Sequence, residues 1–220
     1  VDEGLIPTNP TRKIIIKGKT PAEKKPKFIN QFEVQRLLKE LNLTTEISWD
    51  WFILLITKTG IRFSEALALT PNDFDFSSQK LSINKSWNYR NSQGFFQPTK
   101  NESSNRKIQI DWQTAMQFSQ LIKNMEPDNP IFVTERVFNS TINYHLKKLC
   151  IKADIPIISI HSLRHTHASL LLFTGVSIAS VAQRLGHSSI STTQETYIHI
   201  IQELEHQDTE KIMRHLASLI

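Results

Sequence analysis

Hydrophobic residues recur at threes and fours over two long stretches of this 220-residue chain and alternate with polar ones in a shorter stretch between them. From Asn30 onward Phe32, Val34, Leu37, Leu38 and Leu41 follow a helical period, with Asn30 placed to cap the first turn. A second apolar helix is predicted from Trp49 to Thr59, ended by Gly60. A short third helix starts at Arg62 or Ser64 and runs to Leu69, where Pro71 stops it. The period then changes. Phe74 and Phe76 alternate with polar residues, as do Leu81 and Ile83, residues 95–97 and residues 106–110. Helical periodicity returns near Trp112, with breaks at Pro127–Pro130, Pro156, Gly175 and Gly186. A last amphipathic helix is predicted over residues 200–219, with Ile201, Leu204, Ile212, Leu216 and Leu219 on its apolar side. The expected class is α+β: a mostly helical domain with a small three-stranded antiparallel sheet inserted after the third helix.

Residues 1–27 fall outside this pattern. They are polar, rich in proline and lysine, and read as a linker. Within residues 11–27 seven basic side chains, Arg12, Lys13, Lys17, Lys19, Lys24, Lys25 and Lys27, stand against one acidic, Glu23. From Glu195 to Ile220 the sign reverses, with five acidic against two basic. The net charge of +5 is a mild excess that by itself says little about partners. The basic run suits a phosphate backbone or simply water, and the acidic end suits protein contacts. Cys150, the one cysteine, lies in an apolar helical context and is expected in the core, which fits a reducing, cytoplasmic setting. No apolar run approaches the ~20 residues of a membrane span.

Three polar segments interrupt the core pattern with chemistry. In TGIRFSEALALT, Arg62 stands at a helix start with Glu65 one turn on. The arginine offers a bidentate fork to an anion, or the two form an ordinary surface ion pair. In HSLRHTHASLLL, His161 and Arg164 share a helix face, with Ala168, Leu170, Leu171, Leu172 and Phe173 anchoring the helix behind them. His165 and His167 complete a histidine cluster. It lacks the acidic residue between its i,i+4 histidines that a zinc hydrolase helix needs, so no metal site is expected. In LGHSSISTTQETYIHI, Gly186 closes a helix, His187 opens a loop, and Ser191 or Thr192 caps a helix that presents Tyr197. Each segment alone has an unremarkable structural explanation. Gathered together with Lys100, two arginines, a lysine and two histidines around a tyrosine would suit attack on a phosphodiester, an anion that gains charge in the transition state.

In order, spacing and surroundings these residues resemble the tyrosine recombinase (phage integrase) family over residues 30–200. The matching positions are Arg62 in TGIRFSEAL, Lys100 in PTKNESSNRKI, His161 and Arg164 in HSLRH, His187 in LGHSS and Tyr197 in TTQETY. The resemblance implies a DNA breaking–rejoining fold and a mobile-element integrase. Tyr197 would attack DNA to leave a 3′-phosphotyrosyl link and a 5′-hydroxyl, with no metal, ATP or other cofactor. Arg62, Arg164 and His187 would hold the transition state, Lys100 would protonate the leaving oxygen, His161 would manage the nucleophile's proton, and Glu65 would support the site. Lys24, Lys25, Lys27 and Arg106 are expected along the DNA. The family also implies that residues 28–200 are the catalytic domain and that a core-binding domain precedes residues 1–27. Residues 201–220 would form a C-terminal helix packed on their own domain or a neighbour's. The expected assembly is a homo-tetramer on paired sites in double-stranded DNA, with this chain monomeric when alone. The rival readings are a type IB topoisomerase, a DNA-binding regulator without chemistry, and a metal hydrolase on the histidine cluster.

Overall fold

The computed structural model describes residues 28–91, 93–197 and 218. The expected linker with Lys24, Lys25 and Lys27, and the C-terminal helix over 201–220, lie outside the described residues apart from position 218.

Helix α1 (Gln31–Lys39) begins with a reciprocal cap: the Asn30 side chain accepts from the Glu33 amide, and the Glu33 carboxylate accepts from the Asn30 amide. Val34 and Leu37 face inward, whereas Phe32, counted in the apolar stripe, is 76% exposed. Helix α2 (Trp49–Thr59) is apolar nearly all round and correspondingly buried, with Phe52, Ile53 and Leu55 wholly out of solvent. Each such side chain contributes about 1.5–3 kcal/mol of burial. It ends at Gly60, whose φ of 68° is left-handed. A Cβ there would come within 2.6 Å of the His167 ring, so the turn requires glycine for backbone and for space. Helix α3 (Phe63–Leu67) follows at once.

Five short strands come next: β1 (Phe74–Asp75), β2 (Lys80–Ile83), β3 (Lys85–Trp87), β4 (Phe96–Pro98) and β5 (Arg106–Gln109). β1, β2 and β5 form the expected three-stranded antiparallel sheet, with Leu81 opposite Ile108 and Phe74 opposite Leu81 on its buried face. The structure adds a separate two-stranded ribbon, β3 with β4, in which Trp87 pairs with Phe96. β3 had no legible period because its buried residue is a serine, satisfied by the Pro98 carbonyl.

The rest is helical: α4 (Trp112–Leu121), α5 (Asn139–Lys152), α6 (Ile160–Phe173), α7 (Ile178–Leu185) and a helix over residues 190–197, here α8. α2 packs against α6, and α5 and α7 flank α6. Cys150 is fully buried in the main core. Leu172 is buried as expected, but Phe173 turns outward at 44% exposure. A second, smaller core joins the last three helices through Ala168, Leu172, Val181, Leu185 and Tyr197. That cluster positions the tyrosine.

Candidate active site

The α7 helix ends at Gly186 in the left-handed conformation. Three consecutive carbonyls at this terminus each accept from a different arginine. Arg106 Nε donates to the Arg184 oxygen at 2.7 Å, Arg164 Nη2 to the Leu185 oxygen at 2.8 Å, and Arg62 Nη2 to the Gly186 oxygen at 2.9 Å. The unpaired carbonyls and negative dipole at a helix C-terminus favour cations. One helix end thus gathers guanidinium groups that are distant in sequence.

Glu65 ties two of them together. It is 2% exposed and pairs with Arg62 Nη1 at 2.7 Å and with Arg106 Nη2 at 3.0 Å. Burial pushes its carboxyl up, but Arg106 and Arg62 more than offset this and hold it below the ordinary carboxylate range. Arg62 caps α3, and its own amide donates to Glu65 Oε2 at 2.9 Å, so the helix start is not an open anion site. Arg106 was expected along the DNA. Its side chain is instead 6% exposed and fixed to Glu65, Ser104 and Arg184, beneath the site. The reason is the buried Glu65 carboxylate, which demands a second cation.

Arg164, 4% exposed, donates to the Gly60 carbonyl at 2.7 Å as well as to Leu185. Burial, then Arg62, pushes its guanidinium down to about 9, so it remains charged at neutral pH. A guanidinium carries five N–H donors. Among the described residues Arg62 spends three on protein partners and Arg164 two, which leaves donors on both for an anion. Counting Arg164 itself, three guanidiniums (Arg62, Arg106 and Arg164) stand against the one carboxylate of Glu65. The excess of positive charge suits an anionic ligand.

Tyr197 closes the small core at 2% exposure, and its hydroxyl lies 2.9 Å from His165 Nδ1. Burial raises the phenol to about 12, with Arg164 acting in the opposite direction, so the resting group is neutral. His161 stands at the exposed rim of α6, edge-on to His165 with ring centres 4.8 Å apart. Burial, then Arg164 and Arg62, lowers its imidazole. The hydrogen-bond partner of the Tyr197 hydroxyl is therefore His165, one residue past Arg164, where the sequence pointed to His161. Half-buried His187 is held through Nδ1 by Thr193 Oγ1 at 2.7 Å. Burial and the three arginines push His187 down to about 4, so it is neutral at physiological pH. Lys100 is exposed in the turn after β4 and hydrogen-bonds to none of the other five residues. The α8 helix starts at residue 190, where Ser189 Oγ accepts from the Ser191 amide, ahead of the caps expected at Ser191 or Thr192.

The sequence matches the phage integrase family over residues 27–203. The chain belongs to that family. It is 25% identical to the ICEBs1 integrase of Bacillus subtilis over 229 aligned residues, covering 96% of this chain and 60% of the relative. It is 30% identical to the tyrosine recombinase XerC of the same organism, covering 92% of this chain and 66% of the relative. The Tn1549 transposon integrase, solved in complex with transposon right end DNA, shares the fold at a TM-score of 0.70 and 20% identity, over 87% of this chain and 68% of that one. The chain thus spans about 60% of the length of the first curated relative it matches.

Within this integrase-family domain, His167 belongs to the scaffold. Its Nδ1 donates to the Thr57 carbonyl at 3.0 Å and its Nε2 accepts from Arg184 Nε at 2.9 Å, so both ring nitrogens are occupied. Burial, then Arg184, pushes it down to about 3. The unfolded chain therefore binds a proton near pH 6.5 that the folded chain refuses until about pH 3. Stability should fall with acid across that window, by up to ~1.4 kcal/mol per pH unit from this group. Denaturant unfolding of His167→Gln between pH 7 and 4 should show a shallower slope than the parent. An unchanged slope would remove His167 as the source.

Proposed function

We propose that this chain is the catalytic part of a site-specific DNA recombinase that integrates or excises a mobile element. The observation that carries the reading is the Tyr197 hydroxyl held on His165 Nδ1 beside a cluster of three arginines and one carboxylate. The names of relatives support the mobile-element role: the ICEBs1 integrase, and the Tn1549 transposon integrase in complex with DNA.

A DNA phosphate placed on the remaining donors of Arg62 and Arg164 would meet the phenol. As Tyr197 Oη bonds to phosphorus, its proton passes to His165 Nδ1, with His161 next in line at the rim. The bond from phosphorus to the 5′ oxygen breaks, and Lys100 gives that oxygen a proton. The products are a 3′-phosphotyrosyl link and a free 5′-hydroxyl. A 5′-hydroxyl from a partner strand reverses the steps, so the phosphodiester bond energy is kept. Donors aimed at the developing charge are worth ~3–4 kcal/mol each in oxyanion sites. Paired sites on double-stranded DNA and strand exchange between them favour a homo-tetramer, with the chain monomeric off DNA.

The test uses a pool of nicked duplexes with randomised sequence, in which cleavage releases a short strand and traps the covalent product. The 220-residue chain should form a denaturant-resistant adduct, in chelator as well as without it, and peptide mapping should place the DNA on Tyr197. No adduct on any duplex, or an adduct elsewhere, would overturn the reading.

A further inference from the structure

His187 and Thr193 form a pair whose geometry has a chemical consequence. Thr193 is fully buried in α8, and its Oγ1 lies 2.7 Å from His187 Nδ1. His187 is that hydroxyl's one hydrogen-bond partner among the described residues. Two arrangements fit the distance: the hydroxyl donates to a bare Nδ1, or a protonated Nδ1 donates to the hydroxyl oxygen. In the second, the hydroxyl hydrogen would need an acceptor of its own inside the protein. The usual helical outlet is the carbonyl four residues back, which Thr196 uses on Thr192 at 2.7 Å. Thr193 makes no such bond. The second arrangement would therefore leave a buried donor unpaired among the described residues, which is costly. The first satisfies both atoms.

We propose that Thr193 is a positioning residue: its hydroxyl donates to His187 Nδ1 and so keeps the imidazole proton on Nε2, the nitrogen free to donate to a DNA phosphate. This rests on the recombinase reading above. The ring is neutral because burial and three arginines oppose a second proton. A neutral ring has one N–H, so which nitrogen carries it decides whether His187 is a donor or an acceptor toward the phosphate. An acceptor there would repel the anion. The register of α8 adds a further point. Thr193 and Tyr197 are four residues apart, on one helix face, and both are buried. Docking that face sets the nucleophile on His165 and the tautomer of His187 together. The donor is complete only when the nucleophile is in place.

The experiment compares the parent with Thr193→Val, which keeps the shape and loses the hydroxyl, and Thr193→Ser, which restores it. Nitrogen-15 NMR of the histidine rings reads the tautomer directly. The parent and the serine variant should show His187 protonated on Nε2, and the valine variant should lose that preference. Adduct formation on the nicked duplexes should slow at least ~10-fold in the valine variant and recover in the serine variant. A parent protonated on Nδ1, a valine variant still wholly on Nε2, or cleavage unaffected by valine would each overturn the proposal. Melting temperatures of the three proteins identify a valine variant that merely fails to fold. In that case the parent's tautomer alone decides. If the parent forms no adduct, the recombinase reading fails while the tautomer still judges Thr193.

Discussion

Replacing Tyr197 with phenylalanine should abolish covalent attachment to DNA and leave the fold intact. The substitution removes one oxygen. The ring still fills the cluster of Ala168, Leu172, Val181 and Leu185. The lost bond to His165 is worth ~0.5–1.5 kcal/mol of stability, a small share of a domain's total. The chemical loss should be complete, because the oxygen removed is the one that would attack phosphorus. His165→Ala is the counterpart. It keeps the nucleophile and removes the group holding its proton, against a phenol pushed up to about 12 by burial. Positioned general bases contribute ~10²–10⁴-fold, so adduct formation should slow by that order and recover partly at alkaline pH. Denaturing gels of the trapped adduct, with thermal melts of each variant, check both. A persistent adduct in Tyr197→Phe would remove Tyr197 as nucleophile, and full-rate cleavage by His165→Ala would return the proton role to His161.

Glu65→Ala should cost the fold about 3–5 kcal/mol, because it leaves Arg62 and the nearly buried Arg106 without their shared counter-charge. For a domain of this size that is a fall in melting temperature of roughly 6–20 °C. Glu65→Gln keeps the volume and one acceptor and should fall between the two. The pH dependence follows from the lowered carboxyl. A group with a folded value below its unfolded one stabilises fully above the ordinary carboxylate range. That contribution is lost as pH falls through the folded value. The difference between parent and Glu65→Ala should therefore be largest at neutral pH and shrink in strong acid. Cleavage should suffer too, since Arg62 loses the anchor that orients its remaining donors. A melting temperature within a degree or two of the parent would show that the arginines are held by the carbonyls of α7 instead.

Much of this architecture is local and was legible. Gly60 and Gly186 end helices because a left-handed turn follows a periodic stretch, and Asn30 caps because its side chain competes for the first free amides. The three-stranded sheet followed from alternation at Phe74, Leu81, Ile83 and Ile108. The β3–β4 ribbon did not, since Ser86 carries no apolar signal and its partner lies across a loop. The six chemically suggestive residues could be picked out in order, and the family match extends over all of them. Their geometry could not be read. Arg106 looked like a surface cation until Glu65 was found buried beside it. His165 looked like one member of a histidine run until the α8 helix set Tyr197 on its ring.

The order of residues along the chain therefore determined the class of fold, the position of most helices and the set of groups available for phosphodiester chemistry, because capping, periodicity and turn preference act over a few neighbouring residues. Tertiary structure alone decided which groups touch. Arg62, Arg106 and Arg164 meet because three carbonyls at the end of α7 and one buried carboxylate need cations. His187 is neutral because burial and those same arginines oppose its second proton. Burial and charge are properties of the assembled neighbourhood, and most of that neighbourhood lies more than forty residues away in sequence.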